Sequence, residues 1–370
     1  MITIRAVRTS SDVKNFIKMM WHIYRDDMVW VPPLVMDRKM LMDKKKNPFY
    51  KHAEAEFFLA ERNGEVVGRI AAIINHAHNA FHEENIGHFG FYESIDNAEV
   101  SSMLFDAVKQ WLKKRGISKM LGPMNPSTND ECGLLIHGFE LPPMVLMTYN
   151  PRYYIDLFEA EGLAKEKDLF AYFLDGKEVF SDKLVRVATM VQQREKITFR
   201  SMNMKDFETE VQRIKIVYNN AWSRNWGFVP MNDEEFDYLA KQLKQIVNPK
   251  LVVIAEKNNE PIGFALSLPD INIALRYNNR GGLIGGIYQL LRRKKEINQV
   301  RVITLGVNKE YQSGGTASVL FYETAKRAVE NGYGCGEASW ILEDNLMMNR
   351  SAEMLNAHRY KTYRIYQQSF

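Results

Sequence analysis

Apolar positions along this chain fall into two periods that recur in the same order twice. Val100, Met103, Leu104, Val108, Trp111 and Leu112 are spaced by three and four, and Val319, Leu320, Ala325, Ala328 and Val329 also keep a helical spacing, so each set predicts one face of an amphipathic helix. Gly116 and Gly332 follow these helices as C-caps. A short apolar strand precedes each helix, FGF at 89–91 and LGV at 305–307. Upstream, AERNGEVVG at 60–68 and AEKNNEPIG at 255–263 read as β-hairpins turning at Asn63-Gly64 and Asn258-Asn259, residue pairs that tolerate positive φ.

These segments register as a repeat. ITIR at 2–5 matches ITFR at 197–200, and the hairpins share the same offset (255 − 60 = 195). The strand, the LF pairs at 104–105 and 320–321, and the two capping glycines share a longer one (332 − 116 = 216), which places 21 extra residues between hairpin and strand in the second copy. Each copy reads as strand, one or two helices, hairpin, strand, helix, strand, helix, strand. The predicted fold class is therefore α/β (α+β), with two domains, 1–175 and 197–370, joined by a helix over 176–196. Two domains also suit 370 residues.

Composition narrows the class. Hydrophobic residues make up 46% and charged residues 25%, which supplies an ample core. No signal-like run opens the chain and no apolar stretch nears about 18 residues, so a cytoplasmic protein is expected. Cys132 and Cys335 lie far apart without CxxC spacing, which supports neither a disulfide framework nor a cysteine zinc site. A net charge of +4 does not by itself argue for nucleic acid, and none is expected as a partner.

The chemistry concentrates after the second LGV strand, where QSGGTA at 312–317 opens the helix. Glycines there let backbone amides approach a ligand, and a helix N-terminus adds unpaired N–H groups and partial positive charge, an apt setting for a diphosphate. The loop lacks the GK[ST] of a P-loop and is not GxGxxG; plain turn glycines are the alternative. The strand, the Q-x-x-G-x-A loop and the helix resemble the acyl-CoA-binding motif of the GNAT (Gcn5-related N-acetyltransferase) superfamily, and CGEASWIL with the segment to YKTYRIY resembles that fold's last strand, helix and strand. The resemblance implies two GNAT-like domains, each a central mixed, mostly antiparallel twisted sheet flanked by helices. It also implies an acyl-CoA site, acetyl or longer, at Leu305, Gly306, Val307, Gln312, Gly314, Gly315, Thr316 and Ala317, with Asn345 or Asn349 beside it. The family's usual tyrosine before Gly-Phe is missing, which leaves Tyr360, Tyr363 and Tyr366 as general-acid candidates, Tyr363 foremost.

In the first copy the longer offset puts Asp96, Glu99 and Ser101 where Gln312, Gly315 and Ala317 stand. Two carboxylates would repel a diphosphate, so one CoA site is expected, in the second copy, with the first retained for structure and the acceptor pocket. Acceptor candidates are Asn125, Asn129 and Tyr153 in the polar, proline-rich segment 122–154, and Asn220, Trp222 and Trp226 in YNNAWSRNWGFVP. Glu337, Glu343 or Asp344 would take the proton of an attacking amine, and the Val307 amide would polarise the thioester.

The extra residues of the second copy hold LIGGIYQLL followed by RRKK, so 283–295 is either a peripheral membrane contact, a cap on a long acyl chain, or a helix packed on the sheet. His76, His78, His82 and His88 cluster in sequence, but acyl transfer needs no metal and none is expected. The expected activity is acyl transfer from acyl-CoA to an amine through a ternary complex. Alternatives are a long-chain or lipid-like amine acceptor at the inner membrane face, an aminoacyl-tRNA donor, and an inactive CoA-binding scaffold.

Overall fold

A computed structural model describes residues 1–223 and 225–370. Two compact units divide the chain: Met1–Asp168 with Ala274–Arg292 and Lys361–Phe370, and Leu169–Ile273 with Arg293–Tyr360. Each is a mixed, mostly antiparallel sheet with helices on its faces.

In the first unit the strands Ile2–Ala6, Ala53–Arg62, Glu65–Asn75 and Gly87–Ser94 pair antiparallel in sequence order. Gly87–Ser94 then pairs parallel with Lys119–Gly122, which pairs antiparallel with the end of His358–Ser369. Alternation along the strands sends Phe57, Leu59 and Phe91 to one face, under Phe16 and Ile17 of helix Ser10–Ile23. Ile70, Ala72 and Phe89 go to the other, under Val100, Leu104, Val108 and Leu112 of helix Ala98–Lys113. The predicted helical stripe is thus the buried one.

In the second unit the sheet runs from Leu169 onward in Ala164–Asp175 through Cys335–Leu342, Gln299–Val307, Glu260–Pro269 and Val252–Lys257 to Thr198–Ser201. Only the Gln299–Val307 and Cys335–Leu342 pair is parallel. Helix Thr316–Glu330 covers one face through Ala317 and Leu320, which pack on Val253, Ala265 and Val307. Helix Phe207–Ala221 lies against Glu260–Pro269 and Gln299–Val307. Asp182–Glu195 is a helix, started by the Ser181 side chain accepting from the Leu184 N–H.

The units depart from the continuous ranges 1–175 and 197–370 in two ways. The chain's last ten residues join the first sheet, while Leu169–Asp175 ends in the second. The inserted helices Asn272–Leu275 and Leu283–Arg292 lie largely in the first unit although they interrupt the second copy. Local pattern specifies a strand or helix but not the edge or face that receives it, so the repeat alone carried no sign of either exchange.

Candidate active site

The second unit's parallel strands diverge. Their ladder runs from Gln299 opposite Cys335 to Val302 opposite Ala338 and stops, while Gln299–Val307 continues beside Glu260–Pro269 to Val307. Asn308 donates its N–H to the Ile262 carbonyl, on the Glu260–Pro269 side. Backbone groups alternate along a strand, so the Val307 and Leu305 amides point the other way, toward the opened wedge. Gln312 Nε2 donates to the Val307 carbonyl at 2.9 Å and folds the loop back on the strand end.

Gly315 then turns the chain at φ +84°, which only glycine adopts without strain, and among the described residues no side chain caps the N-terminus of helix Thr316–Glu330. Val319 bonds back to Gly315, so the amides of Thr316, Ala317 and Ser318 precede the intrahelical ladder. An open strand edge leading to an uncapped helix start fits a pantetheine amide chain ending in a diphosphate. Two cations that sequence reading passed over stand by this loop. Arg194 donates to the Gly314 carbonyl at 3.0 Å and, with Lys257 at 3.7 Å, flanks Glu195. The sequence signals were a charged end on the linking helix for Arg194 and a charged hairpin turn for Lys257.

The first copy supplies an internal comparison. By the longer offset Phe91 occupies the place of Val307 (91 + 216 = 307). Its strand also diverges, after His88 opposite Leu121, but here the wedge is filled from within. Asn125 Oδ1 accepts the Phe91 N–H at 2.5 Å, the Tyr154 hydroxyl accepts the Ser94 N–H at 2.9 Å, and Tyr153 donates to the Ser94 carbonyl at 2.7 Å. A methyl on Gly90 would lie 1.6 Å from the Met124 carbonyl oxygen. Helix Ala98–Lys113 is capped as well, Asn97 Oδ1 accepting from the Val100 N–H. Asn125 and Tyr153, expected at an acceptor pocket, thus stitch the segment 122–154 onto the strand. Asn129 bonds through its own N–H to Ser127 Oγ in a tight turn.

Other candidates divide by unit. Trp222 packs against the strand at Gly306, where an added methyl would come within 2.1 Å of its ring, and Asn220 Oδ1 accepts the Lys309 N–H at 3.0 Å. Both therefore border the strand end and the loop; Trp226 follows in the turn toward Phe228. Glu337 is fully buried and accepts from the Ser339 and Tyr360 hydroxyls, with Arg301 Nε 3.8 Å away and itself donating to Ser339 Oγ at 2.8 Å. Glu337 and Ser339 flank Ala338, the last laddered residue, so this buried group marks the closed end of the wedge. Arg301, alone in the apolar run QVRVITLGV, was the legible sign of it.

Asn345 caps helix Leu346–Met354 through the Met348 N–H. Asn349 donates to the Leu342 and Glu343 carbonyls and accepts from Tyr172, so both asparagines hold the turn after Cys335–Leu342. Glu343 lies in that turn. Tyr363 is fully buried in the first unit's sheet opposite Leu135, a packing position, whereas Tyr360 stands in the second unit, where its hydroxyl meets Glu337.

Among the described residues no three His, Cys, Asp or Glu side chains are placed to hold a metal. His78 instead meets Glu84 at 3.2 Å and packs near His82 and His88. Burial lowers both His78 and His88, the latter to about 3. No helix of the described residues is long and apolar enough to cross a membrane.

No protein-family model matches the chain. It is 36% identical to the "Bacterial ceramide synthase" of Caulobacter vibrioides across 100% of this chain and 97% of that protein. To the protein YghO of Escherichia coli it is also 36% identical, across 98% of this chain and 94% of that one. Among solved structures, a tandem GNAT protein from the clavulanic acid biosynthesis pathway superposes over 100% of this chain and 98% of its own, with a TM-score of 0.57 at 10% identity, a likeness of fold. The chain therefore belongs to the family of the bacterial ceramide synthase and YghO, and it is an acyltransferase with the GNAT fold.

Proposed function

We propose that this protein transfers a long acyl group from acyl-CoA to the amino group of a long-chain, lipid-like amine, forming an amide in a ternary complex. The carrying observation is the unequal pair of wedges. The second copy's is open beside an uncapped helix start, and the first copy's is filled by Asn125 and its neighbours. The acceptor class is supported by whole-length similarity to a bacterial ceramide synthase, since a ceramide is the N-acyl amide of a long-chain amino alcohol.

Bound acyl-CoA supplies the activated thioester. Leu305, Val307 and the amides from Gly314 to Ala317 bind it in this reading, and the Val307 N–H donates to the thioester carbonyl as negative charge develops there. An amine attacks only when neutral. We assign its proton to the Tyr360 and Glu337 pair, because Glu337 is wholly buried and the half-buried Tyr360 hydroxyl is the part of the pair nearer solvent. Asn220 and Trp222 would shape the acceptor side. A lipid-like acceptor also brings the enzyme to a bilayer, at the inner face of the cytoplasmic membrane, with residues 283–295 as the contact.

Purified protein incubated with palmitoyl-CoA and a detergent-dispersed C18 amino alcohol should release free CoA thiol and form one amide per thiol. Thiol release without amide, or equal transfer to short soluble amines, would overturn the acceptor assignment. Tyr360→Phe should lower kcat while leaving KM for acyl-CoA near its starting value.

A further inference from the structure

The helix Leu283–Arg292 is amphipathic in the reverse of the usual sense. A helix that covers a core turns its apolar stripe inward. Here Ile284, Ile287, Tyr288 and Leu291, spaced by three and four, face outward, with Ile284 86% and Leu291 74% exposed. The inward side is a pair of glycines: a methyl on Gly286 would come within 2.8 Å of Leu34 Cδ2, and one on Gly285 within 2.6 Å of Asn278 Oδ1.

The segment is firmly placed on the first unit. Trp21 Nε1 donates to the Asn279 carbonyl at 2.6 Å, Lys18 to the Arg280 carbonyl at 3.0 Å, and the Val35 N–H to the Gly281 carbonyl at 2.9 Å. The outward stripe is therefore a presented surface on an anchored helix.

Charge identifies what the stripe meets. From Ala274 to Arg292, within the first unit, there are three basic residues, Arg276, Arg280 and Arg292, and no acidic one. They stand at both ends of the stripe in sequence. Two copies facing each other through it would set like charge against like charge in either orientation, which disfavours self-association. An anionic bilayer satisfies both features, taking the aliphatic and tyrosine side chains between its headgroups and the basic ends onto its phosphates.

We propose that Leu283–Arg292 is an interfacial helix that docks this protein on anionic lipid bilayers, with Ile284, Ile287, Tyr288 and Leu291 inserted and Arg276, Arg280 and Arg292 on the headgroups. The acyltransferase reading gives such a surface its purpose, and this inference rests on that reading for its biological sense. Vesicle binding nevertheless measures the surface separately from the chemistry.

The test is flotation with phosphatidylcholine vesicles, with and without phosphatidylglycerol. The wild type should float with the anionic vesicles and, at most weakly, with the neutral ones. Ile284→Asp/Leu291→Asp alters two exposed positions and should keep its fold by circular dichroism while partitioning at least about tenfold more weakly. Arg280→Glu/Arg292→Glu should abolish the preference for phosphatidylglycerol, since each basic residue near such a surface contributes roughly fivefold.

Wild type that stays in solution with anionic vesicles overturns the docking, as does a folded Asp variant that floats like wild type. A dimer by light scattering that the Asp variant abolishes would assign the stripe to a second copy instead. Amide formation in detergent with no vesicle binding would sink the docking and leave the activity standing; vesicle binding without amide formation would do the reverse.

Discussion

Replacing Gly315 by glutamate puts a carboxylate at the start of helix Thr316–Glu330, where the first repeat has its capping Asn97 with Glu99 two residues on, and the structure separates the two effects this has. Space is not limiting, because a methyl at Gly315 would sit 3.5 Å from Val191 Cγ2, ordinary contact. Conformation is limiting: at φ +84° a non-glycine residue costs about 1–2 kcal/mol, which Gly315→Ala reports alone. The glutamate adds charge. Two unit charges separated by about 7 Å at an effective dielectric near 20 repel by about 2 kcal/mol. Solvent at this half-buried position reduces that, leaving about 2 kcal/mol in all against the dianion, or roughly thirtyfold in Kd. Calorimetric titration with CoA should therefore rank wild type, Gly315→Ala and Gly315→Glu in falling affinity. The last step should shrink in high salt. If Gly315→Glu binds CoA within about threefold of Gly315→Ala, the loop does not hold the diphosphate. In the first copy, Glu99→Gly should create no second site, because Asn125 still occupies the Phe91 amide.

Removing that plug should cost stability without touching CoA affinity: Asn125→Ala leaves the Phe91 N–H unpaired, a loss of about 1–3 kcal/mol in urea unfolding. Gly306→Ala drives a methyl to 2.1 Å from the Trp222 ring and should destabilise by about 1–3 kcal/mol, with Trp222→Leu in the same chain recovering most of it. His88 is held neutral by burial, its pKa lowered to about 3, against about 6.5 in the unfolded chain. Between those values the unfolded state binds the extra proton, so this contribution is present above about pH 6.5 and is lost as pH falls toward 3. His88→Asn should flatten the acid side of the stability profile by up to about 1.4 kcal/mol per pH unit, and an unchanged slope would contradict a buried neutral ring.

Periodicity and turn chemistry are local, and what they dictate could be read directly. The helices at Ala98–Lys113 and Thr316–Glu330, the hairpin turns at Asn63 and Asn258, and the glycine loop before Thr316 stand where residue spacing placed them. The offset of 216 set Glu99 against Gly315, but the helix starts set Asn97 there, because the first copy's loop is two residues shorter. Partners in space were not. Asn125 and Tyr153 looked like pocket residues because polar side chains in a loop read alike whether they face a ligand or an unpaired strand edge; only the divergence after His88 shows that they close that edge. Tyr360 and Tyr363 are three positions apart on one strand, and the neighbouring strands decided that one meets Glu337 and the other is core. LIGGIYQLL announced an apolar helix but not its facing. The glycines pack inward because Leu34 and Asn278 leave no room for a side chain there, and that turns the isoleucines out. Sequence thus determined which elements form and where the glycine loop falls, since those follow from neighbours along the chain. Tertiary structure decided which wedge stays open and which face is presented, because both depend on what distant segments leave unfilled.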